Sequence, residues 1–285
     1  MRARNYLLEC GSIAVFASLT FFSMRETCVE AQERKAIAQA LPDVVGFRTG
    51  MSVQEAYGKL KAYMPKGHVD LDNITIPEIG EKPLPYRMTV SEYGPGPSPE
   101  TISMGVLLPP NKQVVWMVAR QIFKMPGQQA MSRTNIVAAL KEKYGRPDFE
   151  QINEGGARLT WLYDTQGRRE TENKPPASPC VAAPVLMNSP NISMGIPREP
   201  SPTFPQDSTH GWLRCKNMVY VTAVLARDTT HMESAEYVSS FTVAVGDGSL
   251  VTHGADATAE AIENFHLHRE EQDLKKLDKQ AAPKL

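Results

Sequence analysis

The sequence predicts an α+β protein in which a helix followed by an antiparallel β-meander occurs twice in tandem, with the helices packed on one face of the sheet. Three observations predict it. First, MSVQEAYGKLKAYM, starting at Met51, realigns without a gap on MSRTNIVAALKEKY, starting at Met131, so that Met51, Ser52, Leu60 and Lys61 meet Met131, Ser132, Leu140 and Lys141. Second, each copy is followed by three strand-like runs divided by turn chemistry. Third, helices followed by hairpins, without strand–helix–strand alternation, call for helices laid over an antiparallel sheet rather than a parallel one.

The elements follow in chain order. Arg2 and Arg4 precede an uncharged stretch from Cys10 to Met24, and its apolar part, Gly11 to Phe22, is shorter than the roughly 20 residues of a membrane-spanning helix. Val29 and Ala31 supply the small residues expected before a signal-peptidase cut, so residues 1–31 read as a signal peptide and the protein as periplasmic or secreted. An uncleaved inner-membrane anchor and a buried N-terminal helix are the alternatives, and membrane contact is expected only through this segment. Neither Cys10 nor Cys28 is preceded by a lipoprotein lipobox.

The first repeat covers 32–126. Its helix carries Ala56, Tyr57, Leu60 and Met64 at the spacing of one helical face. Ser52 and Glu55 read as a capping box, in which the hydroxyl accepts the third helical N–H and the carboxylate reaches back to the cap N–H. Pro65 and Gly67 stop the helix. Strands are expected at 86–93, 101–109 and 113–124.

The second repeat covers 127–254. Ile136, Val137, Leu140 and Tyr144 form the helical face, Ser132 caps it with Asn135 as a poorer reciprocal partner, and Gly145 and Pro147 end it. Strands are expected at 157–164, 217–226 and 237–245, the last running into a turn at Gly246-Asp247-Gly248. The run NMVYVTAVLA is apolar on both faces and so is expected to be covered twice. Residues 170–211 hold nine of the 22 prolines and read as an inserted surface loop. Residues 255–285 read as a polar helix and tail.

Composition bounds the function. Thirty-one Lys and Arg stand against 32 Asp and Glu, a formal charge of −1, with no basic run of the kind a nucleic-acid partner needs. Loss of residues 1–31 removes Cys10 and Cys28 and leaves Cys180 and Cys215. In an oxidising compartment these two are expected to form a disulfide worth roughly 3–4 kcal/mol by loop closure. Two free buried thiols are the alternative.

The run Gly50, Met51, Ser52, Glu55, Leu60 and Pro65, echoed by Met131, Ser132, Leu140, Gly145 and Pro147, resembles the bacterial fold shared by β-lactamase inhibitory protein and the small lipoprotein subunit of the outer-membrane β-barrel assembly machinery. The pattern as a whole also resembles conserved hypothetical exported bacterial proteins. The resemblance implies an exported, non-enzymatic protein that works by binding another protein.

No GxSxG, SxxK or Cys-His signature for nucleophilic catalysis is present, and no cofactor motif. The rival reading is a metal-assisted hydrolase of the cell envelope built on Asp228, His231 and His253, which requires those three side chains to converge. His266 and His268 are two apart on a helix and point to different sides. Tyr93, Trp116, Trp161 and Tyr163, with Met88, Met104 and Met117 nearby, read either as core between sheet and helix or as an exposed concave face for a partner.

Overall fold

The computed structural model describes residues 41–92, 99–124, 131–169, 217–230 and 235–278. In chain order these form α1 (Val53–Tyr63), β1 (His68–Ile76), β2 (Gly80–Glu92), β3 (Glu100–Val106), β4 (Val115–Phe123), β5 (Met131–Ser132), α2 (Arg133–Tyr144), β6 (Phe149–Asn153), β7 (Gly156–Tyr163), β8 (Val219–Arg227), β9 (Tyr237–Asp247) and α3 (Gly248–Asp278). The protein is α+β, with three helices among the described residues and one nine-stranded antiparallel sheet.

The sheet order is β1-β2-β3-β4-β9-β8-β7-β6, with β5 paired to β9 outside this path. Helices α1 and α2 are therefore each followed by four strands, not three, counting β1–β4 and β6–β9. Of the three strands not expected, β5 is a two-residue pairing and β1 and β6 are the sheet edges. Their residues explain the miss: HVDLDNITI and FEQIN carry Asp, Asn, Glu and Gln, which are depleted in strands but protect an exposed edge from further pairing.

Both helix starts are built alike. Gly50 has φ +81°, a conformation that costs glycine nothing, and its N–H donates to the Val115 carbonyl. Met51 accepts from the Val115 N–H and Ser52 bridges Val114, at the start of β4. Met131 and Ser132 pair with Val238 and Tyr237 at the start of β9.

Alternation along the strands divides two cores. Val118, Val221, Ala223, Leu159, Trp161, Val243 and Val245 pack with Ala56 and Leu60 of α1, with Met64 just past its end, and with Val137, Leu140 and Tyr144 of α2. Met117, Ala119 and Ala244 point the other way, with Leu107 and Trp116, and pack against Val251 of α3. The third helix thus lies on the opposite face from the first two. The expectation that the helices share one face of the sheet does not extend to α3.

The C-terminal helix also begins earlier than its polarity suggests. β9 continues to Asp247, whose Oδ1 accepts the N–H groups of Ser249 and Leu250 at 3.0 Å each, so a strand end doubles as a helix cap. The turn expected at 246–248 is replaced by this direct junction. In the cluster beneath this helix Gly105 makes room for the Trp116 ring: a Cβ there would lie 2.7 Å from Trp116 Nε1.

Candidate binding surfaces

Two surfaces stand apart from the core. The first is on the face that carries α3. Under that helix the apolar cluster ends at Ala119 and Ala244. Beyond it β2, β3 and β4 present Thr89, Ser91, Thr101, Ser103 and Gln121, all half-buried. Register places Ser91 opposite Thr101 and Thr89 opposite Ser103, and their hydroxyls hydrogen-bond at 3.0 and 3.4 Å. Arg87 and Asp72 close one side of this strip with an ion pair at 2.5 Å. Hydroxyls fixed to a rigid sheet offer polar contacts whose ordering cost has already been met in folding.

The second surface is a cleft of about 240 Å³ on the opposite face, over the β4–β9 seam. Val44, Val45, Ile136, Leu140, Phe241 and Val243 give it an apolar lining, and Arg120 and Lys143 are its charged lining residues. Arg120 stands opposite Val243 across the seam. It occupies an inward position of β4, in phase with Val118 and Ile122, where a charge needs a partner. Glu100, inward on β3, supplies it: Nε donates to Oε1 at 2.6 Å and Nη2 to Oε2 at 3.3 Å. Tyr63 of α1 donates its hydroxyl to the same carboxylate at 3.0 Å. Burial alone would lower the Arg120 pKa, but the Glu100 hydrogen bonds and charge outweigh it and hold it above the ordinary value.

The lip of the cleft is a tight turn. Val44 and Phe47 exchange backbone hydrogen bonds, and Asp43 Oδ1 accepts the Gly46 N–H at 2.7 Å. This turn holds Val45 at φ +47°, a left-handed conformation unfavourable for a β-branched residue, at a cost of about 1–3 kcal/mol. Asp43 and Tyr144 fasten the turn to α2: Lys143 is 3.0 Å from the Asp43 carboxylate and the Tyr144 hydroxyl donates to the Asp43 carbonyl at 2.7 Å. Burial pushes the Asp43 carboxyl up, yet the Gly46 N–H and Lys143 prevail and hold it below the usual carboxylate range. Burial raises the Tyr144 phenol well above its ordinary value.

The residues singled out in the sequence fall elsewhere. Trp116, Trp161, Tyr163, Met88, Met104 and Met117 are buried, so they form core rather than an exposed aromatic face. Tyr93 lies outside the described residues, as do Cys180, Cys215 and His231. Asp228 and His253 do not converge. Asp228 follows the last residue of β8 and His253 belongs to the first turns of α3, which begins beside Val219 at the opposite end of that strand. They are thus tied to opposite ends of a nine-residue strand. Asp228 is instead buried and paired with Lys124 at 2.5 Å, and it accepts from the Thr230 N–H and hydroxyl. Among the described residues no group of three or more His, Cys, Asp or Glu gathers in a way that holds a metal.

Arg120 and Glu100 were missed in the sequence, although a signal was present. In VWMVARQIF a charged residue keeps the inward phase, but the strand is apolar on both sides and hides the alternation.

Fold and surfaces together define an α+β sheet protein with a hydroxyl-rich strip on one face and a cation-lined cleft on the other. Comparison with protein-family models, with curated proteins and with solved structures gave no match. Among the described residues no helix is long and apolar enough to cross a membrane.

Proposed function

We propose that this is an exported protein, periplasmic or secreted, that acts without catalysis by binding another protein or a component of the cell envelope through the hydroxyl strip of β2, β3 and β4. The observation that carries the reading is the in-register row of Thr89, Ser91, Thr101, Ser103 and Gln121 beyond the end of the α3 cluster. Export rests on the N-terminal sequence, and the resemblance to the inhibitory-protein and assembly-lipoprotein fold favours a protein partner.

We also propose that the chain is a tandem duplication joined at the β4–β9 seam. Ser52 bridges Val114 and Arg120 lies six residues further on; Ser132 pairs with Tyr237 and Val243 lies six residues further on; Arg120 and Val243 face one another. That register is what two copies related by a two-fold axis through the seam would produce.

The test is site-specific photo-crosslinking in an exporting bacterial host. A crosslinker at Ser103 should capture a discrete partner, while one at Glu142, exposed on α2, should not. Equal capture from both positions, or turnover of an envelope substrate by the purified protein, overturns the binding reading. Export is tested by mass spectrometry of the unreduced protein, which should begin near Gln32 and show the Cys180 and Cys215 peptides linked.

A further inference from the structure

We infer that the cleft over the β4–β9 seam binds a small amphipathic carboxylate, one carboxylate head on an apolar body, with Arg120 as anchor of the head. The cleft volume of about 240 Å³ lies below the range of about 300–1,000 Å³ typical of drug-sized sites, so its ligand is small. Its body must be apolar, because Val44, Val45, Ile136, Leu140, Phe241 and Val243 make up the wall.

The head must be an anion. Both charged lining residues are cations, whereas the carboxylates that balance them, Glu100 and Asp43, lie outside the lining. Glu100 engages the Nε–Nη2 edge of the Arg120 guanidinium and the Tyr63 hydroxyl shares the same site, so a ligand carboxylate would join this group at the remaining N–H donors of a five-donor fork. Lys143, paired with Asp43 at 3.0 Å, is the second cation of the wall. An arginine needed only to satisfy Glu100 has no reason to line a cavity, and a cavity needed only as a packing gap has no reason to keep two cations in its wall. The left-handed Val45 on the lip adds an independent sign, since backbone strain of this kind collects at ligand clamps.

Isothermal titration calorimetry on the purified protein tests this with three probes: octanoate, octanol as the same body without charge, and acetate as the head without a body. Octanoate should bind saturably at one site, with octanol and acetate weaker by at least about tenfold. Two variants assign the site. Ala139→Phe fills the cleft from an exposed position of α2, and should abolish octanoate binding. Arg120→Lys keeps a charge for Glu100 but loses the fork, and should weaken octanoate by about tenfold or more. Should Arg120→Lys fail to fold, Ala139→Phe decides alone. Absence of saturation by octanoate, octanol binding as tightly as octanoate, or wild-type binding by a folded variant overturns the inference. The cleft and the hydroxyl strip are on opposite faces, so each reading stands or fails without the other.

Discussion

Helices α1 and α2 start on the same dipeptide, stop on similar breakers and sit on the same face of one sheet, yet they are seated differently. In α1 the buried positions are Ala56 and Leu60, with Met64 just beyond the end; in α2 they are Val137, Leu140 and Tyr144, with Ile136 only half-buried. The contact faces thus coincide at Leu60 and Leu140 and at Met64 and Tyr144 but differ in the first turn, where α1 buries Ala56 and α2 buries Val137 instead of Ile136. Ile136, Leu140 and Lys143 of α2 border the cleft, whereas no residue of α1 lines it. Similar helix starts are thus joined to different surroundings.

Truncating the shared leucine tests this contrast most strongly. Leu→Ala in a core costs about 2–5 kcal/mol, depending on how well the site closes. Leu60→Ala should fall in the upper part of that range, because Leu60 is fully enclosed. Leu140→Ala should fall in the lower part, because Leu140 already borders open space. Urea unfolding of both variants checks it; an equal or greater loss at Leu140 would mean that α2 is as tightly seated as α1.

The caps differ next. Ser52 accepts the Glu55 N–H at 3.1 Å, but the reciprocal half of the expected box is not made, since the Glu55 carboxylate sits 3.2 Å from Lys59. Ser132 accepts the Asn135 N–H at 3.2 Å and also donates to Glu236 at 2.7 Å, while Glu236 accepts from the N–H and hydroxyl of Thr134. The first helix is capped locally and the second from the strand before which it docks. Cap removal costs about 0.5–2 kcal/mol. Ser132→Ala should lie above Ser52→Ala within that range by urea unfolding, and the reverse order would show that the Glu236 contacts add nothing.

Glu236 gives the comparison a pH dependence. Hydrogen bonds from Ser132 and then Thr134 favour its charged form and hold its pKa below the ordinary value. A carboxylate depressed in the folded state stabilises fully above its unfolded pKa, about 4.3, and the gain is lost as pH falls through the folded pKa. Glu236→Gln should therefore melt below the parent at neutral pH, and the gap should narrow below about pH 4. Asp43 is also depressed and will lower both curves together, so the narrowing difference isolates Glu236. A gap constant across the acid range would assign the effect to shape rather than charge.

How far these features were legible depends on the range of the interactions behind them. Helix starts and stops are written in residues one turn apart, so Ser52, Pro65, Ser132 and Gly145 announced them. Interior strands announced themselves through apolar runs. The edges β1 and β6 did not, because a strand with one free side tolerates Asp, Asn and Gln. The Glu236 cap and the Asp228–Lys124 pair each join residues more than 100 positions apart, beyond any local pattern. Arg120 was masked by its own strand, which is apolar on the side that faces α3 as well.

The smallest effect is expected where repeat alignment and structure part most plainly. Tyr57 and Val137 occupy equivalent places in the two copies, and helical spacing puts both on the buried face. Val137 is buried, at 8% exposure, whereas Tyr57 is 37% exposed and rests beside Lys61, whose ammonium lies 5.5 Å from its ring. Tyr57→Ala should change stability by no more than about 0.5 kcal/mol, the usual scale of a surface substitution, although it removes far more side chain. Val137→Ala removes two methyl groups from the core and should cost about 1–2 kcal/mol. Thermal unfolding of the pair decides whether side-chain size or seating governs. A larger loss at Tyr57 would mean that the different seating of the two first turns does not describe the protein in solution.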